Sequence, residues 1–310
     1  MQNRYPKVSI IMPCWNAEAY IAQAISSCLD QDYPDVEVIV VNDGSTDGSK
    51  AIIDGFGDQI IAIHLPNGGA PKARNIGIAA SGGDYIKLLD ADDLLEGGCI
   101  RKQVNLAHDL GENEIGFGHF KEINESNKLM EKDLPQHIGQ VVHLEWLIKG
   151  NVLTSLPLYP RAALLGASGF DVRLKSRQEW NLHIRLHLRG YSFKRCDVCC
   201  YRQRHHASPF RISNRSPAAA DEFDNLMAAV ELLKNTSDPK IRRLLALRFW
   251  SVGRWYVLKD PVWANSFFKI AKDYDTHDFI PLLPQPYGKL LTYTNPYIAE
   301  IIARILKQIS

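Results

Sequence analysis

The first hundred residues alternate short apolar runs with helical patterns, and this alternation restricts the fold more than any other feature of the chain. Val8-Ser-Ile-Ile-Met12 reads as a buried strand. Tyr20, Ile21, Ala24, Ile25 and Cys28 then recur at the spacing of one helix face, with Asn16 placed to cap it. Val36–Val41 is a second strand, followed by a helix carrying Ile52, Ile53 and Phe56. Ile60–Ile63 is a third strand, Ala70–Ala80 a third helix and Tyr85–Leu89 a fourth strand. Strands that are apolar on both faces and joined by helices predict an α/β fold, a mostly parallel sheet sandwiched by helices.

After Glu96 the pattern changes. A helix is expected over Ile100–Leu110, and strands and turns over Gly116–Ile123 and Glu131–His143. A short helix should cover Leu144–Lys149. Gly169-Phe-Asp171 opens a loop before a helix near Glu179–Arg189, and Tyr191–Tyr201 reads as a strand leading into a polar loop that runs to Pro217. From there the chain reads as a helical extension: Asp221–Lys234, Pro239–Lys259, Val262–Lys272 and Pro296–Gln308, with a proline-rich joint at Pro281–Tyr293. The expected divisions are 1–95, 96–217 and 218–310.

The 310 residues carry a formal charge of +1, so no general polyanion binder, and no nucleic-acid partner, is expected. The six cysteines, Cys14, Cys28, Cys99, Cys196, Cys199 and Cys200, include one C-x-x-C with His205 and His206 beyond it. No second pair stands at zinc-ribbon spacing, so free thiols are expected. No stretch has the length of a signal-peptide core or a membrane span. These features together predict a cytoplasmic, reduced protein.

The polar residues collect at the carboxyl ends of the strands, where open α/β sheets bind ligands. Strand one ends in Pro13-Cys-Trp-Asn16, strand two in Asn42-Asp-Gly-Ser-Thr-Asp47, and strand three leads to Asn67-Gly-Gly69. Strand four ends in Asp90-Ala-Asp-Asp93. Asp90 and Asp92, two apart at a strand end, share a face. They either start a capped turn or hold a cation between them, and all-oxygen ligation favours Mg²⁺ or Mn²⁺. Asp43 either makes an Asx turn or accepts a hydrogen bond from a base N–H, with Ser45, Thr46 or Asp47 capping the next helix. Asp43, Ser45, Asp47, Gly48 and Asp54 approach EF-hand spacing, but a β-branched strand enters the loop where an EF-hand has a helix. Lys72 and Arg74 begin the third helix, as a solvated pair or as donors to phosphate and ribose oxygens.

Taken together these residues resemble glycosyltransferase family 2, inverting enzymes of GT-A (Rossmann-like) fold. The matching runs are Val8–Asn16, Val38–Gly48, Lys72-Ala-Arg-Asn-Ile-Gly77 and Gly83–Asp93, with weaker similarity through Gly169-Phe-Asp171 and Gln178-Glu-Trp180. The resemblance implies a nucleotide-sugar-binding half at 1–95 and an acceptor-binding half at 96–217. Pro13, Trp15 and Asn16 would line the base and ribose pocket. Asp43 would read the base, Lys72 and Arg74 would lie near the nucleotide, and Asp90-Ala91-Asp92 would contact ribose and hold Mn²⁺ or Mg²⁺. Glu179 would be the general base, one methylene longer than the family's aspartate, and Gln178 lacks the charge usual beside it. Asp171 is the alternative base.

The implied reaction moves a sugar from a nucleotide-diphosphate sugar, by default a UDP-sugar, to an acceptor hydroxyl with inversion. Glycan or lipid-linked acceptors of cell-surface polysaccharide or glycolipid synthesis are the expected partners. Thr154 and Ser155 fall where the family builds its acceptor side. Arg202, Arg204, His205, His206 and Arg211 either close over the diphosphate, contact a phosphorylated or lipid-linked acceptor, or form a solvated loop. Near the C-terminus, Tyr297, Ile298, Ile301, Ile302, Ile305 and Ile309 make an apolar stripe for docking on the protein or for peripheral contact with the inner membrane face. Phe249, Trp250, Trp255 and Tyr256 read as core. Two other readings are a sugar nucleotidyltransferase and a non-catalytic sugar-nucleotide or glycan binder. The former usually has a Gly-rich, basic loop after strand one, which Pro13–Asn16 is not.

Overall fold

The computed structural model describes residues 5–130, 141–207, 218–236 and 238–274, together with 299 and 302. The chain forms two compact units. One comprises Met1–His143 and Val152–Ser216, the other Leu144–Asn151 and Pro217–Ser310. The short helix at 144–149, which the sequence grouped with the acceptor half, therefore belongs with the C-terminal helices.

In chain order the first unit begins with β1 (Val8–Cys14), α1 (Ile21–Leu29), β2 (Val36–Asp43), α2 (Ser49–Asp54), β3 (Ile61–Leu65), α3 (Ala70–Ala80) and β4 (Tyr85–Leu88). These follow the sequence pattern closely, because β1 and β2 are rich in β-branched residues and each helix keeps one apolar face. β1 pairs in parallel with β2 and β4, and β2 in parallel with β3. Ile10, Ile11, Val40, Val41 and Leu88 are buried, as strands covered on both faces must be. α3 lies close on this sheet because position 77 is glycine. A Cβ there would stand 2.3 Å from Ile11 Cγ2.

The chain continues with β5 (Leu94–Leu95), α4 (Cys99–Asp109), β6 (Glu114–Ile123), β7 (Leu129–Met130), β8 (Val141–Val142), α5 (Leu144–Lys149), β9 (Leu158–Pro160), α6 (Arg161–Gly166), α7 (Gln178–Leu188) and β10 (Ser192–Arg204). β9 adds an antiparallel edge to β4, giving the sheet order β3-β2-β1-β4-β9. A second sheet, β5-β10-β6-β7 with β8 also on β10, holds one parallel pair, β10 with β6. The elements β5, β7, β9 and α6 were not read from the sequence, since such short elements carry little periodicity; β8 falls within the strands and turns expected over Glu131–His143. The region 131–140 lies outside the described residues.

Asn16 does not cap α1. That helix starts after Tyr20 with no side-chain cap. Asn16 instead has a left-handed backbone, φ 49°, and its Oδ1 accepts the Thr46 N–H at 2.8 Å. The residue ties the end of β1 to the end of β2. α2 is entered from Gly48 with no side-chain cap, so none of Ser45, Thr46 or Asp47 takes the cap position expected of them; Asp47 Oδ1, one residue earlier, accepts from the Ser49 N–H at 3.0 Å.

The second unit contains α5, α8 (Ala219–Leu233), α9 (Pro239–Tyr256) and α10 (Pro261–Tyr274). Asp238 caps α9 by accepting the Lys240 N–H at 2.8 Å, with Pro239 in the first turn. Phe249, Trp250 and Tyr256 are buried as expected, while Trp255 is 58% exposed. Among the described residues no helix is long and apolar enough to cross a membrane. The proline-rich joint, Arg211 and all of the C-terminal stripe except Ile302 lie outside the described residues.

Candidate active site

The parallel strands of the first unit deliver their carboxyl ends to one cleft of about 520 Å³. From β1 come Pro13, Trp15 and Asn16, from β2 Asp43, and from the β3–α3 turn Asn67 and Gly69. Asp90, Ala91, Asp92 and Asp93 follow β4, and Arg74 rises from α3. Across the cleft stand Thr154, Ser155 and the start of α7 with Gln178 and Glu179. Most of the candidate residues from the sequence meet here, but among the described ones Lys72, Asp171, Arg202, Arg204 and His205 do not line the cleft. Lys72 is the one expected beside the nucleotide. Two positions from Arg74 on a helix, it takes another face, and its exposed side chain lies over Gly68.

Asp43 is buried and does more than the sequence implied. Its Oδ1 accepts the Gly68 N–H at 2.8 Å and its Oδ2 the Gly69 N–H at 2.7 Å. Its backbone carbonyl accepts from Asn67 Nδ2 at 3.0 Å. The carboxylate therefore shapes the β3–α3 turn at the cleft wall. Asp54, the far end of the EF-hand-like spacing, pairs with Lys50 and His64, so the carboxylates of that run do not converge.

Arg74 links three parts of the site. Nη2 donates to Asp90 Oδ1 at 2.7 Å and Nη1 to Gln178 Oε1 at 3.2 Å. The guanidinium also lies over the Phe170 ring, 5.4 Å from its centroid. Phe170 is fixed by the neighbouring Asn75, whose amide accepts its N–H at 2.7 Å and donates to its carbonyl at 2.8 Å. Gly169 permits this clamp: it has φ 62°, and a Cβ would meet Asn75 Oδ1 at 2.3 Å. The Gly169-Phe-Asp171 motif is thus the part of the α7 approach that α3 grips. Asn75 carried no signal by itself in the sequence.

Asp92 Oδ2 stands 3.0 Å from His206 Nε2. The His206 ring packs on Tyr20, centroids 4.5 Å apart, and Arg204 lies over that tyrosine at 5.2 Å. Arg204 is itself buried. Its Nε donates to the Asp92 carbonyl at 3.0 Å, and its backbone N–H to Asp93 Oδ1 at 2.9 Å. The polar run after Tyr201 is therefore built structure up to His206: Arg202 pairs with Glu96 at 2.6 Å and His205 with Glu122 at 3.3 Å. Burial, then the charges of Asp93, Asp90 and Asp92, pushes the Tyr201 phenol well up, so that hydroxyl keeps its proton beside the aspartates.

Glu179 sits in the first turn of α7 and lines the cleft. Asp171, the alternative base, does not line it. Arg173 grips Asp171 with both arms at 2.9 and 2.6 Å and holds its carboxyl below the usual carboxylate range, which suits a structural pair better than a proton acceptor. Burial pushes the Cys14 thiol to about 11, so the cleft presents no thiolate. Tyr20, Asn67, Lys175, Arg177, Tyr201 and Gln203 also line it. Of these the sequence placed Asn67 among the polar strand ends and Tyr20 on a helix face, and gave Lys175, Arg177, Tyr201 and Gln203 no role in the site.

Residues 9–155 match the family model for glycosyl transferase family 2. An uncharacterized glycosyltransferase of Rickettsia bellii is 33% identical over 189 residues, which cover 59% of this chain and 27% of that protein. The uncharacterized glycosyltransferase EpsJ of Bacillus subtilis is 32% identical over 195 residues, covering 57% of this chain and 55% of EpsJ. This chain therefore spans about a quarter to a half of the length of these two relatives. The crystal structure of S. aureus TarS 1–349 in complex with UDP-GlcNAc has a TM-score of 0.72 and covers 96% of this chain and 91% of that one, at 21% identity. At that identity the likeness is one of fold, the GT-A fold. Residues 9–155 carry a glycosyl transferase family 2 domain.

Proposed function

We propose that this chain transfers a sugar from a nucleotide-diphosphate sugar to an acceptor hydroxyl, with inversion at the anomeric carbon. One observation carries the reading. The turn Asp90-Ala-Asp92, bound to Arg74 and His206, faces Glu179 across a single cleft. UDP is the default nucleotide, by analogy with the TarS complexes with UDP-GlcNAc and with UDP.

Each residue has a task in this scheme. Pro13, Trp15 and Asn16 form the wall for the base and ribose. Asp43 has lone pairs left after binding Gly68 and Gly69, and these accept from the base. Asp90, Arg74 and Asp92 lie toward the ribose and diphosphate. Glu179 takes the proton as the acceptor hydroxyl attacks, a role that requires a carboxylate within about 3 Å of that hydroxyl. Displacement from the face opposite the leaving group inverts the sugar and needs no covalent intermediate.

The donor atoms fit a divalent cation. Asp92 and His206 bring an oxygen and a nitrogen together, with Asp90 beside them. Among the described residues no three Asp, Glu, His or Cys side chains gather into a full ligand set. Mg²⁺ and Mn²⁺ are suited to this, since they commonly keep waters and take substrate phosphates as ligands. Such an ion, held by Asp92 and His206 with the rest of its shell from water and substrate phosphates, would offset the charge of the departing diphosphate. A thermal-shift screen of nucleoside diphosphates with and without Mn²⁺ tests the proposal, because a bound ligand raises apparent stability. UDP with Mn²⁺ should raise the melting temperature. No shift with any nucleoside diphosphate would count against the reading.

Acceptors in polysaccharide or glycolipid synthesis at the inner membrane face are part of the same proposal. The described helices of the second unit add a little support, since Trp255 is exposed with Lys259 Nζ 4.0 Å from its ring centroid.

A further inference from the structure

We infer, resting on the transferase reading above, that the hydroxyls of Thr154 and Ser155 bind the sugar carried by the donor, and that Lys87, buried in the sheet, is the residue that positions them. Thr154 is 9% exposed and Ser155 3%, and both line the cleft. Among the described residues neither hydroxyl has a hydrogen-bond partner within the protein. A buried hydroxyl without a partner costs free energy. Two of them side by side in a cleft mark a place where a ligand supplies the partners. Each hydroxyl both donates and accepts and carries no charge, which is the chemistry of the sugar hydroxyls it would meet.

The two residues form the corner of a tight turn, closed by the Leu156 N–H on the Leu153 carbonyl at 3.1 Å. The carbonyls of this turn meet a set of buried donors. Lys87 Nζ donates to the Ser155 carbonyl at 2.7 Å, to Gln103 Oε1 at 2.8 Å and, more loosely, to the Leu156 carbonyl at 3.4 Å. Gln103 of α4 returns its Nε2 to the Leu156 carbonyl at 2.8 Å, and Cys200 Sγ of β10 reaches the same oxygen at 3.2 Å. Lys87 is fully buried in β4 between the buried Ile86 and Leu88. An ammonium there is costly unless its N–H groups are bonded, and all three have acceptors. Hydrogen bonds from a charged donor in a low-dielectric core are stronger than neutral ones, so they hold the backbone of Ser155 and Leu156 firmly to β4. Three residues after Lys87 the chain reaches Asp90, on the turn assigned above to the ribose and diphosphate. The sugar is bonded directly to that diphosphate. The family resemblance set Thr154 and Ser155 on the acceptor side, but a turn anchored to the strand that leads into Asp90 is placed for the donor's sugar, and Glu179 on α7 remains for the acceptor hydroxyl.

The full chain is titrated by calorimetry in Mn²⁺ with UDP, GDP and dTDP, and with UDP-glucose, UDP-N-acetylglucosamine, GDP-mannose and dTDP-glucose. The sugar nucleotide that wild type binds best and its parent diphosphate are then taken to the variants. Thr154→Val with Ser155→Ala should weaken the sugar nucleotide about tenfold, the scale of two neutral hydrogen bonds, and the diphosphate less than about twofold. Lys87→Met keeps the length of the side chain and removes the ammonium. It should give the same split between the two ligands and speed hydrogen exchange at the Leu156 N–H by about tenfold or more. A residue that merely supports the fold would weaken both ligands together. If Lys87→Met does not fold, Gln103→Met, which removes the amide bonded to Leu156, tests the same support with the same expected split. The inference falls if the double variant binds the sugar nucleotide as wild type does, or loses both ligands equally. It falls also if wild type binds a diphosphate but none of the sugar nucleotides. Lys87 loses its positioning role if the variant of the support leaves sugar-nucleotide affinity and Leu156 exchange unchanged. Failure of wild type to bind any nucleoside diphosphate would instead overturn the transferase reading itself.

Discussion

Replacing Asp43 with alanine should damage the site in two separable ways. The carboxylate is 2% exposed and holds the Gly68 and Gly69 N–H groups at 2.8 and 2.7 Å. Hydrogen bonds to a charged group are worth about 1.5–3 kcal/mol each. Gly68 is exposed and Gly69 half-buried, so water can solvate the freed N–H groups. That brings the expected loss for the β3–α3 turn to about 2–4 kcal/mol in total rather than twice the single value. Asp43→Asn keeps one acceptor oxygen and should lose about half of this. The second effect is on the proposed nucleotide. Loss of a further charge-assisted bond to the base should weaken UDP binding by about 10- to 150-fold. Hydrogen exchange at residues 67–69 reads the first effect, since 2 kcal/mol is about a 30-fold change in protection. Calorimetry of UDP binding reads the second. Unchanged protection in Asp43→Ala would show that the carboxylate does not hold the turn in solution. Unchanged UDP affinity, with the turn loosened, would leave Asp43 a purely structural residue.

Other predictions concern the base, the guanidinium bridge and a buried histidine. Glu179→Gln keeps shape and hydrogen bonding and should lower transfer by about 10²–10⁴-fold while hardly affecting donor affinity; near-normal transfer would end its assignment as base. Arg74→Lys keeps the charge but cannot reach Asp90 and Gln178 together, so turnover should fall well over tenfold with donor affinity reduced less, and a wild-type rate would refute the bridge as a determinant of the site. His183 is fully buried against the Tyr159 hydroxyl at 2.8 Å, and burial lowers its pKa to about 3. The folded state thus binds fewer protons than the unfolded chain between about pH 6.5 and 3, so stability is full above 6.5 and falls as pH drops through that window. His183→Gln should flatten the pH dependence of unfolding between pH 6.5 and 5 relative to wild type, by an amount on the order of 1 kcal/mol per pH unit. Parallel curves for the two proteins would contradict this.

The sheet of the first unit was legible because its strands are continuous apolar runs and its crossover helices have clean faces, so β1 to β4 and α1 to α3 stand within two or three residues of their expected places. The second sheet was not legible. β6 and β10 could be expected as strands, but they pair with each other across about eighty residues, which leaves no local mark, and their other partners are two-residue strands. Within the site, the aspartates after β2 and β4 could be found because they interrupt apolar strands. Lys72 looked equivalent to Arg74 in sequence, yet helical geometry sends them to different faces. Asn16 had the chemistry of a cap, but its left-handed backbone turned it toward Thr46. His206 could be listed but not placed, since its partner Asp92 lies 114 positions away.

The central claim, that this cleft breaks the bond between a sugar and a nucleoside diphosphate, is tested most directly by nucleotide release. Wild type and Asp92→Asn are incubated with UDP-, GDP- and dTDP-sugars in Mn²⁺ or in EDTA, and free nucleoside diphosphate is measured over hours. Wild type should release the diphosphate from at least one donor in Mn²⁺, slowly without acceptor, and both EDTA and Asp92→Asn should stop it. Release that persists undiminished in Asp92→Asn, or no release and no nucleotide binding with any donor in Mn²⁺, would contradict the account.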